Sequence, residues 1–291
     1  MGPLVGSKWI AGLAGWYRAR QENIKRRRFI RTGCIPWSEG YTAYRKRAIR
    51  NALSDADLLA RLAGQRDLPP KFGYRVDERI VEIPWVLARL PEGSRVLLDA
   101  GASLNHDFLL EIIPLQTRRV VICTLSQEKR LWGDRVSHVF GDLRDAGFRN
   151  ESFDEIVCIS TLEHVGMDNA RVYSRDARWR ESRPEDYRKA VREFRRLLKP
   201  GGRLFLTVPY GRHENHGWLQ QFDRECLDSV LQVFDGTTRA MAFYRYVADG
   251  WQLVDADACA ECQYFDIQSC RNHEPDYVAA ARAVACLELV K

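Results

Sequence analysis

Between residues 99 and 107 the chain sets two carboxylates, Asp99 and Asp107, around a short run of small and polar residues: Ala100, Gly101, Ala102, Ser103, Leu104 and Asn105. A loop that cradles a dinucleotide pyrophosphate needs free amides at a helix start and the spacing G-x-G-x-x-G. This loop has one glycine and carries negative charge where a phosphate would lie, so it disfavours a dinucleotide. It suits a ligand bearing a sulfonium and an ammonium, because a carboxylate beside a cation gains several kcal/mol, by order of magnitude, once water is partly excluded. A second constellation, Cys259, Cys262, Cys270 and His273, reads C-x2-C-x7-C-x2-H and offers four zinc-type donors. Its longest gap is short for a zinc ribbon and holds Tyr264, Phe265 and Ile267, which read as strand. Packed thiols are therefore the expectation, and no metal is assigned.

The elements that must position these groups follow from periodicity. Residues 1–70 read as a polar helical extension, with Ile49, Leu53, Leu58, Leu59 and Leu62 at helical spacing between Arg45 and Leu62. Pro69 and Pro70 break that pattern. From about residue 75 to 291, short β-branched runs alternate with amphipathic stretches, the signature of a mostly parallel sheet with helices on both faces. Seven strands are expected, at 95–100, 119–124, 138–141, 155–160, 203–208, 251–256 and 283–290. One helix is well specified: Ser182 and Glu185 form a capping box, Pro184 sits in its first turn, and Tyr187, Val191, Phe194, Leu197 and Leu198 share a face. Lys199 suits its C-terminal end, and Pro200, Gly201 and Gly202 stop it. The fold class is α/β, and in such open sheets ligands bind beyond the carboxyl ends of the strands where the strand order reverses, at the loop after the first strand.

Composition bounds the rest. With 291 residues and 45% hydrophobic content, the chain can bury a real core. The net charge of +6 is unevenly spread: Lys25, Arg26, Arg27, Arg28 and Arg31 crowd one short segment, which points either to an anionic surface nearby or to a solvated helix face. No stretch approaches the ~20 apolar residues that cross a bilayer. No secretory signal is evident, and Gly6 stands where a myristoylation motif needs Ser or Thr. Eight cysteines, several inside apolar strand-like runs, suit reduced thiols in a cytoplasm, so the expected setting is cytoplasmic, with peripheral membrane contact through the basic N-terminus as an option.

Four segments resemble, in order, the motifs of class I S-adenosylmethionine-dependent methyltransferases. VLLDAGASLN (96–105) resembles the first motif, FGDLRD (140–145) the adenine-side motif, SFDEIVCISTLEHVG (152–166) the fourth strand with its loop, and EFRRLLKPGGRLFLTVPYG (193–211) the helix-turn-strand that follows. The LDAG-S-LNH loop and the STLEHVGMDN segment are similar to an uncharacterised group often associated with polysaccharide or glycolipid biosynthesis. CIPWSEGYTAYR (34–45) shares that flavour without an attached chemistry. The resemblance implies a Rossmann-like class I methyltransferase fold with S-adenosylmethionine as cofactor. It implies that Asp99, Gly101, Ala102, Ser103 and Asn105 lie at the methionine end, that Thr124 and Leu125 lie near the ribose, and that Asp142 and Leu143 hold the adenine. Ser160, Thr161 and Glu163 would line the floor at the reacting methyl.

Two departures stand out. Ser103 and Asn105 replace later glycines, although Asn tolerates left-handed backbone and can cap a helix beginning at His106. Thr124 stands where the family has an acid for the ribose hydroxyls. The lost charge-assisted bond is worth about 1.5–3 kcal/mol, which Glu128 one turn on could offset.

Methyl transfer is an in-line displacement, so the protein's work is alignment and charge management. If the acceptor is a hydroxyl, His164 has the reference pKa of a general base, with His213 and His216 as alternates; an anchoring role for the imidazole is the competing reading. Residues 167–183, with Arg171, Tyr173, Arg175, Arg178, Trp179, Arg180 and Arg183, and residues 210–222, with Arg212, His213, Asn215, His216 and Trp218, mix aromatic and cationic groups that fit a carbohydrate-like or glycolipid acceptor. The expected activity is O-methylation of a saccharide or glycoconjugate. The alternatives are a methyltransferase-like binding or scaffold protein without turnover and, less favoured, an RNA methyltransferase.

Overall fold

The structure is a computed structural model that describes residues 5–126, 134–171, 177–267, 269–270 and 272–291. The chain begins with four helices, α1 (Val5–Arg31), α2 (Tyr41–Leu53), α3 (Ala56–Ala63) and α4 (Arg79–Arg89). The helical periodicity expected between Arg45 and Leu62 is present but broken in two. Asp55 ends one helix and starts the next, because its carboxylate accepts the Leu58 amide proton at 3.0 Å, a local bond that competes with helix continuation. Ile49, Leu58 and Leu62 are buried and join Ile80, Val81 and Trp85 in one apolar cluster. On α1, Lys25, Arg27, Arg28 and Arg31 are exposed, and Arg28 reaches Glu39 at 2.8 Å.

The sheet strands are β1 (Val96–Ala100), β2 (Arg119–Thr124), β3 (Val136–Phe140), β4 (Phe153–Ile159), β5 (Leu198–Pro209), β8 (Thr237–Val247), β9 (Gly250–Val254) and β10 (Ala283–Val290). A small hairpin, β6 (Glu214–Asn215) with β7 (Gln220–Gln221), stands apart. The order is β3-β2-β1-β4-β5-β10-β8-β9, with the first five strands mutually parallel and the remaining pairings antiparallel. The Rossmann-like α/β architecture is as expected, but the sheet has eight strands where seven were anticipated. The added strand is β8, whose inward positions Ala240, Ala242, Tyr244 and Tyr246 alternate with partly exposed ones. Two of those four are alanine, so the period-two signal has little apolar contrast.

Short helices α5 (Asp107–Leu110), α6 (Ile113–Gln116) and α9 (Ala256–Cys259) and the longer α7 (Tyr187–Leu197) and α8 (Arg224–Phe234) complete the fold. Successive strand residues face opposite sides, so Leu97 joins the cluster under α2–α4 while Leu98 joins Tyr187, Val191, Phe194, Leu227 and Phe234 on the other side. The face expected for the well-specified helix is thus the buried face of α7. Its start is not the expected capping box: α7 begins at Tyr187, behind a single 3-10 turn at Pro184–Asp186, and no side chain caps it. Proline favours the tight turn, which shifts the helix start past Glu185. At the other end α7 stops at Leu197, and Lys199 lies in β5, bonded to Asp154 at 2.8 Å.

At the end of the sheet remote from the β1 loop, Arg118 and Glu155 form a bidentate pair, Nε to Oε2 at 2.6 Å and Nη2 to Oε1 at 2.9 Å, and both are about 1% exposed or less. Removing one partner strands a buried charge, whereas removing both can be close to neutral. Arg118→Met is expected to lower unfolding free energy by about 3 kcal/mol in urea titrations, and Arg118→Met with Glu155→Leu to recover most of it. Equal losses in the single and double variants would refute this account.

Candidate active site

Strand order reverses between β1 and β4, and the loops after these two strands meet. Gly101 has φ +111°, and a Cβ placed there would lie 2.1 Å from Thr161 Oγ1. Only glycine allows both that backbone angle and that approach. The crossing loop is braced from within: the Asp99 carboxylate, fully buried, accepts the Leu104 amide proton at 2.9 Å, and the Ser103 hydroxyl donates to the Ile159 carbonyl at 2.7 Å. The left-handed position next to Gly101 is Ala102, with φ +65°, and not Asn105. Nor does Asn105 cap the helix that follows. α5 starts after His106 without a side-chain cap, and Asn105 Oδ1 faces His138 Nε2 at 3.5 Å across to β3.

Two cavities flank this loop, and Gly101 lines both. The first is an open cleft with about 660 Å³ of empty space, part of it continuous with solvent. Thr124, Leu125, Asp142, Leu143, Thr161 and His164 line it, so six of the sequence-derived site residues converge with Gly101. Thr124 is 2% exposed and its hydroxyl has no hydrogen-bond partner in the described structure. A buried hydroxyl left without a partner calls for an explanation, and a ligand in the adjoining cleft would supply one. Glu128, the expected compensating acid, lies outside the described residues.

Asp142 is bound from its own turn, by the Arg144 amide at 2.9 Å and by the Arg144 guanidinium at 2.6–3.0 Å. Burial acts to raise the Asp142 pKa, but these bonds outweigh it and hold the carboxyl below its ordinary range. Arg144 also reaches Glu181 at 2.6 Å and Asp186 at 2.7 Å, tying this wall to the segment that brings Arg178 and Trp179 to the cleft. Of the arginine-rich insertion, Tyr173, Arg175 and the Arg171 side chain lie outside the described residues.

At the cleft's end the His164 ring stands 5.3 Å from the Trp218 ring, and its Nδ1 is 2.9 Å from the Trp218 carbonyl oxygen. Only a protonated nitrogen can donate to a carbonyl, so Nδ1 carries the hydrogen and Nε2 keeps a free lone pair. Burial lowers the His164 pKa to about 4, against the opposing effect of the Trp218 bond, and the ring is neutral at neutral pH. Glu163 is 2% exposed, with one carboxyl oxygen 4.0 Å from Nε2 and the other unpartnered. Burial raises its pKa well above the usual carboxylate value, partly opposed by a backbone hydrogen bond and by the charge of Arg79. Ser160 does not line the cleft; its hydroxyl donates to Glu82 Oε1 on α4 at 2.6 Å. His213 does not join His164 either. It is exposed, with Nδ1 3.1 Å from the Gln221 carbonyl, and it lines neither cavity at the loop. His216 sits against Tyr264 and Glu214.

The second cavity, about 780 Å³ of empty space, runs from Gly101, Ala102 and Ser103 to Arg45, Lys46, Arg79 and His106. The His106 pKa is lowered by burial and then by the charges of Arg45, Arg79 and Lys46, each of which also pairs with a carboxylate, Asp77, Glu82 and Glu22 in turn. Sequence reasoning missed these cations. They lie on α2 and α4, before the recognisable motifs, and no spacing connects them to the loop. Arg144 was legible in principle, two residues after Asp142, where a side chain can turn back onto a carboxylate.

Of the cysteine-rich constellation, Cys259 and Cys262 are buried and adjacent, Cys270 is exposed, and His273 stacks between Phe265 and Tyr277. The four do not gather as a ligand set.

Residues 118–206 match a family described as "Methyltransferase domain". The match spans β2 to β5 and so includes Thr124, Asp142, Thr161 and His164. Among solved structures, the chain is similar to the Burkholderia thailandensis 1,6-didemethyltoxoflavin-N1-methyltransferase with bound 1,6-didemethyltoxoflavin and S-adenosylhomocysteine, at 20% identity, TM-score 0.42, covering 68% of this chain and 72% of that one. It is also similar to the N-methyltransferase NodS from Bradyrhizobium japonicum in complex with S-adenosylhomocysteine, at 13% identity, TM-score 0.41, 84% and 97% coverage. A third likeness is to the YcgJ protein of Bacillus subtilis, at 13% identity, TM-score 0.44, 72% and 97% coverage. No curated protein matches the chain. Among the described residues, no helix is long and apolar enough to cross a membrane.

Proposed function

We propose that this S-adenosylmethionine-dependent methyltransferase transfers a methyl group to a hydroxyl of a saccharide or glycoconjugate. The residues present fit the cofactor: Gly101 leaves a cradle that any side chain would fill, and the Thr124 hydroxyl awaits a partner of ribose type. Asp142 and Leu143 would flank the adenine, and Arg45, Lys46 and Arg79 would receive the methionine carboxylate. When bound, the cofactor supplies an electrophilic methyl on a sulfonium. The chain's own part is to orient the acceptor, exclude water and take up a proton.

The observation that carries the hydroxyl reading is the fixed tautomer of His164. With Nδ1 tied to Trp218, Nε2 is a proton acceptor at the end of the cleft. Trp179 and Arg178 on the same cleft suit stacking on a sugar ring and pairing with a phosphate of a carbohydrate-like or lipid-linked acceptor. The exposed basic stretch of α1 would then draw the protein to an anionic membrane surface.

The test has two stages. Calorimetric titration with S-adenosylmethionine is expected to give saturable one-site binding; no heat up to millimolar ligand would remove the cofactor reading. Radiolabelled methyl transfer is then compared across nucleotide sugars, lipid-linked saccharides and small amines. Label on an amine alone would remove the hydroxyl reading. The replacement of an acid by Thr124 favours one other reading, a domain that binds the cofactor without turnover. Binding with no transfer to any acceptor class would leave that one standing.

A further inference from the structure

A cluster of potential metal donors lies outside the cleft, where the segment after β5 meets the start of α8. His213, Asp223 and Cys226 each present one ligand atom within 4.8 Å of the other two, and the His213 Nδ1 to Cys226 Sγ distance is 3.8 Å. In a tetrahedral zinc site, bonds of about 2.0–2.3 Å place neighbouring donors about 3.5 Å apart, so the trio closes on an ion once His213 Nδ1 gives up its hydrogen and its 3.1 Å contact with the Gln221 carbonyl. We propose that His213, Asp223 and Cys226 bind one zinc ion, with a water completing the tetrahedron.

The local fold prepares the site. Asp223 is the N-cap of α8, and its Oδ1 accepts the Cys226 amide proton at 2.9 Å. That bond fixes the carboxylate, and the three-residue spacing puts Cys226 on the same side of the helix start, where its thiol meets the Asp223 side chain in a second hydrogen bond. His213 arrives from the other direction, on the strap leading into β6. One nitrogen, one oxygen and one sulfur select a borderline cation such as zinc over calcium or magnesium, which take oxygen donors. His213 is exposed and the other two are half-buried, so the ion has an entry path and an open fourth position.

Such an ion would pin the β6–β7 hairpin to α8. Trp218 lies in that hairpin, and its carbonyl holds the His164 tautomer. The metal would therefore be a positioning element for the cleft without touching it.

The test uses the full-length protein stripped of metal and titrated with cobalt(II), then zinc. One equivalent of cobalt is expected to bind with a thiolate-to-metal charge-transfer band, and zinc to displace it. Cys226→Ser should abolish the band. His213→Ala, at an exposed position where folding is not at stake, should weaken binding at least about a hundredfold, more than the loss typical of an outer-shell contact. Cys262→Ser and Cys270→Ser should change neither. The proposal is overturned by the absence of a saturable band in the native sequence, by a band that survives Cys226→Ser, by affinity unchanged in His213→Ala, or by a band lost in Cys262→Ser.

Discussion

Gly101→Ala is expected to reduce affinity for S-adenosylmethionine at least about a hundredfold in calorimetry while the protein still folds. The new Cβ would sit 2.1 Å from Thr161 Oγ1, and 2.4 and 2.7 Å from its Cγ2 and Cβ. Thr161 cannot swing aside freely, because its hydroxyl donates to the Ile159 carbonyl at 3.0 Å. The backbone angle at 101 adds strain of about 1–3 kcal/mol for any residue other than glycine. The loop must therefore move by about an ångström, and a displacement of that size costs about a hundredfold where geometry matters. Thr161→Gly in the same chain removes the obstructing side chain and should restore part of the affinity, leaving the backbone strain. Affinity unaltered in Gly101→Ala would mean that the ligand does not approach this loop.

His164→Gln is expected to lower kcat about a hundredfold, within the range for loss of a proton-accepting group, with cofactor affinity little changed. The same residue predicts an unusual acid limb. Its pKa of about 4 means that Nε2 is available at any pH above about 5, so activity should hold through the range where an ordinary histidine is protonated and fall only as pH approaches 4.

Stability carries the matching sign. The unfolded chain takes up the histidine proton near pH 6.5 and the folded chain only near 4, so unfolding is favoured progressively as pH drops through that window, and the effect is absent above it. For a ring 23% exposed the contribution is on the order of 2 kcal/mol, which His164→Gln should remove from urea titrations at pH 5 relative to pH 7.5. Activity falling with an apparent pKa near 6.5, or identical pH slopes of stability in both proteins, would show that the imidazole is solvated and not held by Trp218.

Much of this was legible in the residues. The alternation of apolar runs fixes a parallel sheet covered on both faces, and the loop after β1 is the ligand site of any such sheet. The face of α7 could be read because Tyr187, Val191, Phe194 and Leu197 recur at the helical period. β8 was not, since alanine at alternate positions gives little contrast. The capping box expected at Ser182 and Glu185 does not form, because Pro184 and Asp186 sit in a tighter turn in contact with Arg144.

The sequence by itself determined the fold class and the side of the sheet on which chemistry occurs, because both depend on periodicities of two and 3.6 residues that are local to each segment. The resemblance of its motifs to a known family implied that Gly101, Thr124, Asp142 and Thr161 lie about one site, with His164 beside it, and in the structure all five line one cleft. Only the tertiary structure decided what state those groups are in. The neutral His164 held by Trp218, the Arg45 cation beside Gly101, and the Glu181 and Asp186 carboxylates on Arg144 all arise from residues dozens of positions apart. Desolvation and through-space charge depend on distance in the folded chain, and spacing along it carries no record of them.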